Sequence, residues 1–184
     1  MKATGVVRRI DDLGRVVIPK EIRKVHRIKE GDPLEIFTDK EGEIILKKYS
    51  PIGELTEFAS SYAETLSKTT GHITCITDKD TVIAVSGGSK KDFLEKGLSK
   101  QLEEVLENKE VFKSKDNDEI AIPITQNEGR QWIYNSQVIY PIISDGDVIG
   151  SVILLSKEPN QKMGEAEYKV AQSAAGFLGN HLEI

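Results

Sequence analysis

Arg8-Arg9-Ile10-Asp11-Asp12-Leu13-Gly14-Arg15-Val16-Val17-Ile18-Pro19-Lys20-Glu21-Ile22-Arg23-Lys24 is the stretch from which the fold can be read. Its first residues close an apolar run that begins at Gly5, so residues 5–10 predict a strand. Asp11, Asp12 and Gly14 then break the run as a turn, because Asp and Gly tolerate backbone angles that other residues resist. Val16, Val17 and Ile18 follow Arg15 as a second short strand over 15–18, rich in β-branched side chains. Pro19 ends that strand and suits the first turn of a helix, where its missing N–H is not needed. A helix is therefore predicted over 20–27. Arg8, Arg9, Arg15, Lys20, Arg23 and Lys24 distribute positive charge along the whole stretch.

Outward from this stretch, residues 34–38 and 43–48 predict two more strands. Asp39-Lys40-Glu41-Gly42 between them has the composition of a hairpin loop. Each of the four strands has only two or three apolar residues to bury. About 50 residues with so little apolar side chain can hardly close a core alone. Two copies pairing strands between chains can, so an obligate dimer is expected.

Asp-Asp-Leu-Gly-Arg-Val-Val-Ile-Pro, residues 11–19, is the most specific pattern in the chain, and it resembles the AbrB family of bacterial transition-state regulators. The resemblance covers the chain to about Tyr49. It implies a swapped-hairpin β-barrel formed by two chains, and binding to double-stranded DNA. The family's DNA-contacting arginines fall on Arg8, Arg15 and Arg23, and on Lys24, which keeps the charge but lacks the planar fork that bonds phosphate or guanine in bidentate fashion. Arg9, Lys20 and Arg27 are further candidate phosphate contacts. The bland alternative for Arg15 is a salt bridge to Asp11 or Asp12 that braces the turn.

Charge distribution agrees with a polyanion partner for this end. The chain carries a net charge of −5, yet residues 1–29 hold nine Lys and Arg against three Asp and Glu. A basic end on an acidic body is an electrostatic footprint, although a solvated charged surface would look the same. One cysteine, Cys75, excludes an intrachain disulfide framework and fits a reducing cytoplasm. Lys2 is followed by polar residues, so no secretory leader is expected. No run approaches the roughly 20 apolar residues of a membrane span, and no membrane partner is expected.

Ser50-Pro51 marks the boundary between a first domain, 1–50, and a second, 51–184. Ser50 can cap a helix and Pro51 can open it. A connecting helix is predicted over 51–68. Ile52, Leu55, Ala59, Tyr62 and Leu66 recur on it at heptad spacing, as either an oligomer interface or a stripe packed on the next domain. Beyond it come a hairpin over 72–77 and 81–85 turning at Asp78-Lys79-Asp80, and helices near 91–96 and 99–108. An exposed loop over 113–119, a strand over 119–124, a hairpin over 136–144 and 148–156 turning at Asp145-Gly146-Asp147, and a final helix over 164–183 complete the chain. The plan is α+β, an antiparallel sheet with flanking helices. Over 54–184 this element order resembles the GAF sensor domain.

Residues with chemical potential are few. Gly87-Gly88-Ser89-Lys90-Lys91 lacks the glycine spacing of a phosphate-binding loop and reads as a turn. His26, His72 and His181 lie in different elements, so no metal site is expected, and no cofactor. Cys75 alternates with Ile73 and reads as a buried small side chain. Trp132, Tyr134 and Tyr140 are candidates to line a pocket for an unidentified small-molecule effector, or to fill a core. No catalytic set is suggested, so an enzyme is not expected. The reading is a DNA-binding transcriptional regulator, cytoplasmic and nucleoid-associated, with a second domain that senses a signal or assembles a homotetramer. The pairing of the halves resembles AbrB-family sporulation regulators and implies control of forespore genes. The alternative is an antitoxin-like interaction module on the same fold.

Overall fold

The computed structural model describes residues 5–114, 121–126, 128, 134–159 and 161–181. The chain divides into two compact units, Met1–Tyr49 and Ser50–Ile184.

In the first unit, helix α1 (Lys20–Val25) precedes an antiparallel hairpin of β1 (Leu34–Thr38) and β2 (Ile44–Lys48). Helix α1 is two residues shorter than the sequence predicts. Arg27 adopts a left-handed conformation, φ +53°, and Ile28 N–H bonds back to the Arg23 carbonyl at 2.8 Å, which terminates the helix. Lys48 Nζ reaches both the Arg27 carbonyl, at 3.1 Å, and Asp32 Oδ2, at 3.0 Å. The expected strands over 5–10 and 15–18 join no sheet within the single chain. Each has extended, β-branched sequence, and among the described residues neither is part of a sheet.

The second unit is built around a five-stranded antiparallel sheet in the order β4-β3-β7-β6-β5. Its strands are β3 (Ile73–Thr77), β4 (Val82–Ser86), β5 (Phe112–Lys113), β6 (Ser136–Ser144) and β7 (Asp147–Ser156). Asp145 and Gly146 supply a two-residue turn, both with positive φ, that returns β6 into β7. One face of the sheet is covered by a 3-10 turn at Ile52–Leu55, α2 (Thr56–Thr70) and α5 (Glu165–His181). Ile76, Ala84, Val138 and Leu154 point to that side. Their neighbours Cys75, Val85, Ile139 and Ile153 point to the other, under α3 (Lys90–Phe93) and α4 (Lys100–Glu107). Alternation of side chains across a strand sends successive residues to opposite cores. It also explains why β6 and β7 are buried at nearly every position, as in strands covered on both sides. Caps follow the sequence: Ser50 Oγ accepts from Gly53 N–H and Ser99 Oγ from Leu102 N–H, both at 3.1 Å.

The strand expected over 119–124 is not found at its described residues, 121–124. The side-chain amide of Gln137 takes the place of a neighbouring peptide there. It accepts from Ile122 N–H and donates to the Ile122 carbonyl, both at 2.9 Å. The fifth strand is instead Phe112–Lys113, at the start of what the sequence reads as loop.

Close approach explains two of the glycines. A Cβ on Gly179 of α5 would collide with the Ile143 carbonyl oxygen, whereas one on Gly176 of the same helix meets nothing within 4 Å. Gly179→Ala should destabilise the second unit by roughly 1–3 kcal/mol, as overpacking does. Gly176→Ala should stabilise it by up to about 1 kcal/mol through helix propensity. Thermal unfolding of the two variants side by side checks the contrast.

Candidate nucleic-acid interface

The first unit has almost no interior of its own. Apart from Pro19, no described residue of 5–49 is buried. Val7, Val17 and Ile44 are largely exposed, as are Ile10, Leu13 and Val25. Val6, Val16, Val17, Ile18, Ile22 and Leu46 line an open cavity of about 550 Å³, together with Arg8, Lys47 and Lys48.

The cations lie on this frame. Arg8, Arg9, Arg15, Lys20 and Lys24 are exposed, while Arg23 and Arg27 are half-buried. Lys20, Arg23 and Lys24 ride on α1, which buries none of its residues. Arg15 stands at the end of the turn that begins at Asp11. Asp11 Oδ1 accepts from Leu13 N–H at 3.0 Å and from Arg15 N–H at 2.8 Å. The Asp11 carboxylate thus braces the turn through the backbone. Among the described residues no ion pair joins it, or Asp12, to the Arg15 guanidinium, so the salt-bridge alternative for Arg15 is not what the turn uses. On the β1–β2 loop, Asp39, Glu41 and Glu43 bring exposed carboxylates within 4.8 Å of one another. Asp39 Oδ1 already accepts two backbone N–H groups there.

The remaining sequence candidates lie in the second unit, and two expectations are corrected. Ile52, Ala59 and Leu66 are buried against their own sheet, so these heptad positions are not free to meet another chain. Leu55 and Tyr62 are only half-buried. Ala171, Ala174 and Ala175 likewise pack on the sheet through α5. What the heptad reading missed is an aromatic surface beside it. Phe58 and Tyr62 of α2 meet Phe177 and His181 of α5, with Phe58–His181 centroids at 5.5 Å and Tyr62–Phe177 at 5.6 Å. Phe177 remains 48% exposed. Aromatic residues at positions 58 and 62, and at 177 and 181, recur one helical turn apart, a signal readable from the sequence.

Tyr134 and Tyr140 cannot line one pocket, because they belong to opposite faces of the sheet. Tyr134 is buried with Cys75 and Ile153, and Tyr140 packs with Val152 and the α5 side. Tyr140 makes an edge contact with Tyr168 and its hydroxyl accepts from Gln172 at 3.0 Å. Trp132 lies outside the described residues. Cys75 is a buried free thiol, and burial pushes its pKa well above the ordinary range. Gly87 takes φ +73° between β4 and α3, the turn expected of that glycine pair.

A small β-hairpin unit studded with exposed cations, followed by a sheet between two helical layers, defines a class: regulators that join an AbrB-type domain to a GAF-like domain. Residues 7–54 match the family model of "Antidote-toxin recognition MazE, bacterial antitoxin", and residues 54–183 match "Stage V sporulation protein T C-terminal, transcription factor". Stage V sporulation protein T of Bacillus subtilis (strain 168) is 51% identical over 183 residues, covering 100% of this chain and 99% of that protein. The transition state regulatory protein AbrB of the same organism is 61% identical over 51 residues, 28% of this chain and 52% of that protein. The GAF domain of an Acinetobacter phosphoenolpyruvate-protein phosphotransferase shares the fold of the second unit, with a TM-score of 0.55 at 16% identity, covering 70% of this chain and 81% of that one. The chain belongs to the family of stage V sporulation protein T. That family is one of transcription factors, not of enzymes. Among the described residues no helix is long and apolar enough to cross a membrane.

Tyr134 is 3% exposed, and burial first, then the charge of the neighbouring Glu128 carboxylate and a hydrogen bond to it, push the hydroxyl's pKa up. A buried hydroxyl set against a carboxylate stabilises the fold, so Tyr134→Phe should lower the stability of the second unit by about 1 kcal/mol. An unchanged or raised melting temperature would show that the hydroxyl has no such partner in solution.

Proposed function

We propose that the chain regulates sporulation genes by binding double-stranded DNA through its first unit. The carrying observation is the set of exposed cations on a unit that shares 61% identity with AbrB. Arg8, Arg15 and Arg23 are the principal contacts, with Lys24 giving charge without a fork, and Arg9, Lys20 and Arg27 flanking them on phosphates. The unit acts as a dimer. Its exposed aliphatic side chains have no interior in one chain, and each one buried against a partner would contribute roughly 1.5–3 kcal/mol. Segments 5–10 and 15–18 would find their ladder in that partner. The match of residues 7–54 to an antitoxin model speaks for the fold of the first unit. The match of 54–183 to a transcription-factor family favours the DNA-regulatory reading over toxin capture.

Affinity should fall steeply with salt. If about 6–10 phosphates are neutralised per complex, log K against log salt should slope by roughly −5 to −9. Arg15→Ala should weaken binding by at least about 1 kcal/mol in a mobility-shift titration. Wild-type affinity with the fold intact would remove Arg15 from the interface.

The full chain assembles as a tetramer, a dimer of dimers. The first unit requires one partner. The Phe58, Tyr62, Phe177 and His181 surface supplies a second contact of the aromatic kind enriched at interface cores. Two first-unit dimers in one particle engage two DNA segments and gain avidity. Light scattering on the full chain and on residues 1–49 checks this, with a tetrameric mass expected for the first and a dimeric mass for the second. Equal dimeric masses would exclude the second contact.

A further inference from the structure

The turn that carries Arg15 is closed by one residue. Asp11 Oδ1 accepts from the N–H groups of Leu13 and Arg15, at 3.0 and 2.8 Å. Asp11 N–H donates to the Arg15 carbonyl, and Gly14 N–H to the Asp11 carbonyl, each at 3.0 Å. Gly14 takes φ +76°, a conformation that L side chains resist. The same four bonds recur in the β1–β2 loop. Asp39 Oδ1 accepts from Glu41 and Glu43 N–H, both at 2.9 Å. Asp39 N–H donates to the Glu43 carbonyl at 3.2 Å and Gly42 N–H to the Asp39 carbonyl at 3.4 Å, with Gly42 at φ +82°. Asp-x-x-Gly-x thus folds twice in the same way within one small unit. One copy ends on Arg15 and the other on Glu43.

We propose that Asp11 is the positioning residue for the Arg15 contact to DNA, and this rests on the reading that Arg15 makes such a contact. Two of its four bonds converge on the Arg15 peptide, one from each side, and set the direction in which the side chain leaves the backbone. Among the described residues the Arg15 guanidinium has no hydrogen-bond or ion-pair partner, so the backbone sets its starting direction without side-chain help. Preorganising an arginine in this way limits the freedom it loses on binding. Coulomb's law alone predicts the opposite effect of Asp11. A carboxylate beside a polyanion repels it, and removing the charge should tighten binding. The sign of the effect therefore separates positioning from bulk electrostatics.

The test is a set of substitutions in the full chain, titrated against one duplex at fixed salt, with melting temperature and mass measured for each. Asp11→Ala should weaken binding at least about fivefold, the effect of a lost charged contact. Asp11→Asn keeps an acceptor oxygen and loses the charge, so it should bind within about twofold of wild type or tighter. Asp11→Glu keeps the charge and misplaces the acceptor, and should weaken binding even where Asp11→Ala fails to fold. Asp39→Ala removes the same bonds from the acidic loop and should lower the melting temperature without lowering affinity. Asp11→Ala combined with Arg15→Ala should bind no more weakly than Arg15→Ala alone, because one acts through the other. Wild-type or tighter binding by Asp11→Ala or Asp11→Glu, beside a weakened Arg15→Ala, would overturn the proposal and leave the DNA reading standing. So would an equal loss in Asp39→Ala. Wild-type binding by Arg15→Ala would remove the DNA contact itself, and the positioning role with it.

Discussion

Strand β7 is the constraint on which the second unit depends. It lies between β3 and β6, and residues Val148 to Ser156 are all buried. A strand covered on both faces needs a helical layer on each: α2 and α5, which flank the sheet in sequence, cover one face, and α3 and α4, which lie between β4 and β5, cover the other. Close approach is bought by small residues. Gly150 on β7 faces the Thr77 carbonyl where a Cβ would not fit, and Ala171, Ala174, Ala175 and Gly179 let α5 lie directly on the strands.

The first unit obeys the opposite rule. Its sheet is a single hairpin, its helix buries nothing, and most of its valines, isoleucines and leucines are exposed. The local features are nevertheless sharply defined. Asp11 and Asp39 close matching turns, Arg27 closes α1, and Lys48 ties the hairpin to Arg27 and Asp32. Local order without an interior is the observation behind the proposed dimer, in which a second copy would bring more of the same aliphatic side chains. In the proposed dimer, pairing and DNA binding are coupled, because the locally ordered turns that carry the arginines would share one frame.

How much was legible in the sequence depended on whether the deciding contact was local. Asp145-Gly146 and the β-branched runs around it predict the β6–β7 hairpin because the turn chemistry and the alternation lie in one stretch. The glycine at 14 and the proline at 19 place the first-unit turn and helix for the same reason. The strand expected over 119–124 is not formed at 121–124 because Ile122 there bonds the side chain of Gln137, a remote residue whose amide imitates a peptide. β5 was missed because two residues carry no pattern. The heptad stripe on α2 could not reveal its partner: over four turns, periods of 3.5 and 3.6 residues are nearly the same, and a sheet uses such a stripe as readily as another helix. Tyr134 and Tyr140 are an even number of residues apart, which puts them on one face of a continuous strand. The strand begins only at Ser136, so that parity does not reach back to Tyr134.

The candidate interface was legible in composition and not in geometry. Charge and motif pick out Arg8, Arg15, Arg23 and Lys24, but nothing in a list of cations distinguishes one that is held from one that is merely present. The structure draws that distinction through an acid. In a unit that carries an excess of positive charge, Asp11 would be the residue to remove if affinity came from net charge alone. Its carboxylate instead closes the turn in front of Arg15, while the equivalent Asp39 closes a turn in front of glutamates. The two loops share one local architecture and differ in what it presents: the residue that follows the glycine is arginine in one and glutamate in the other.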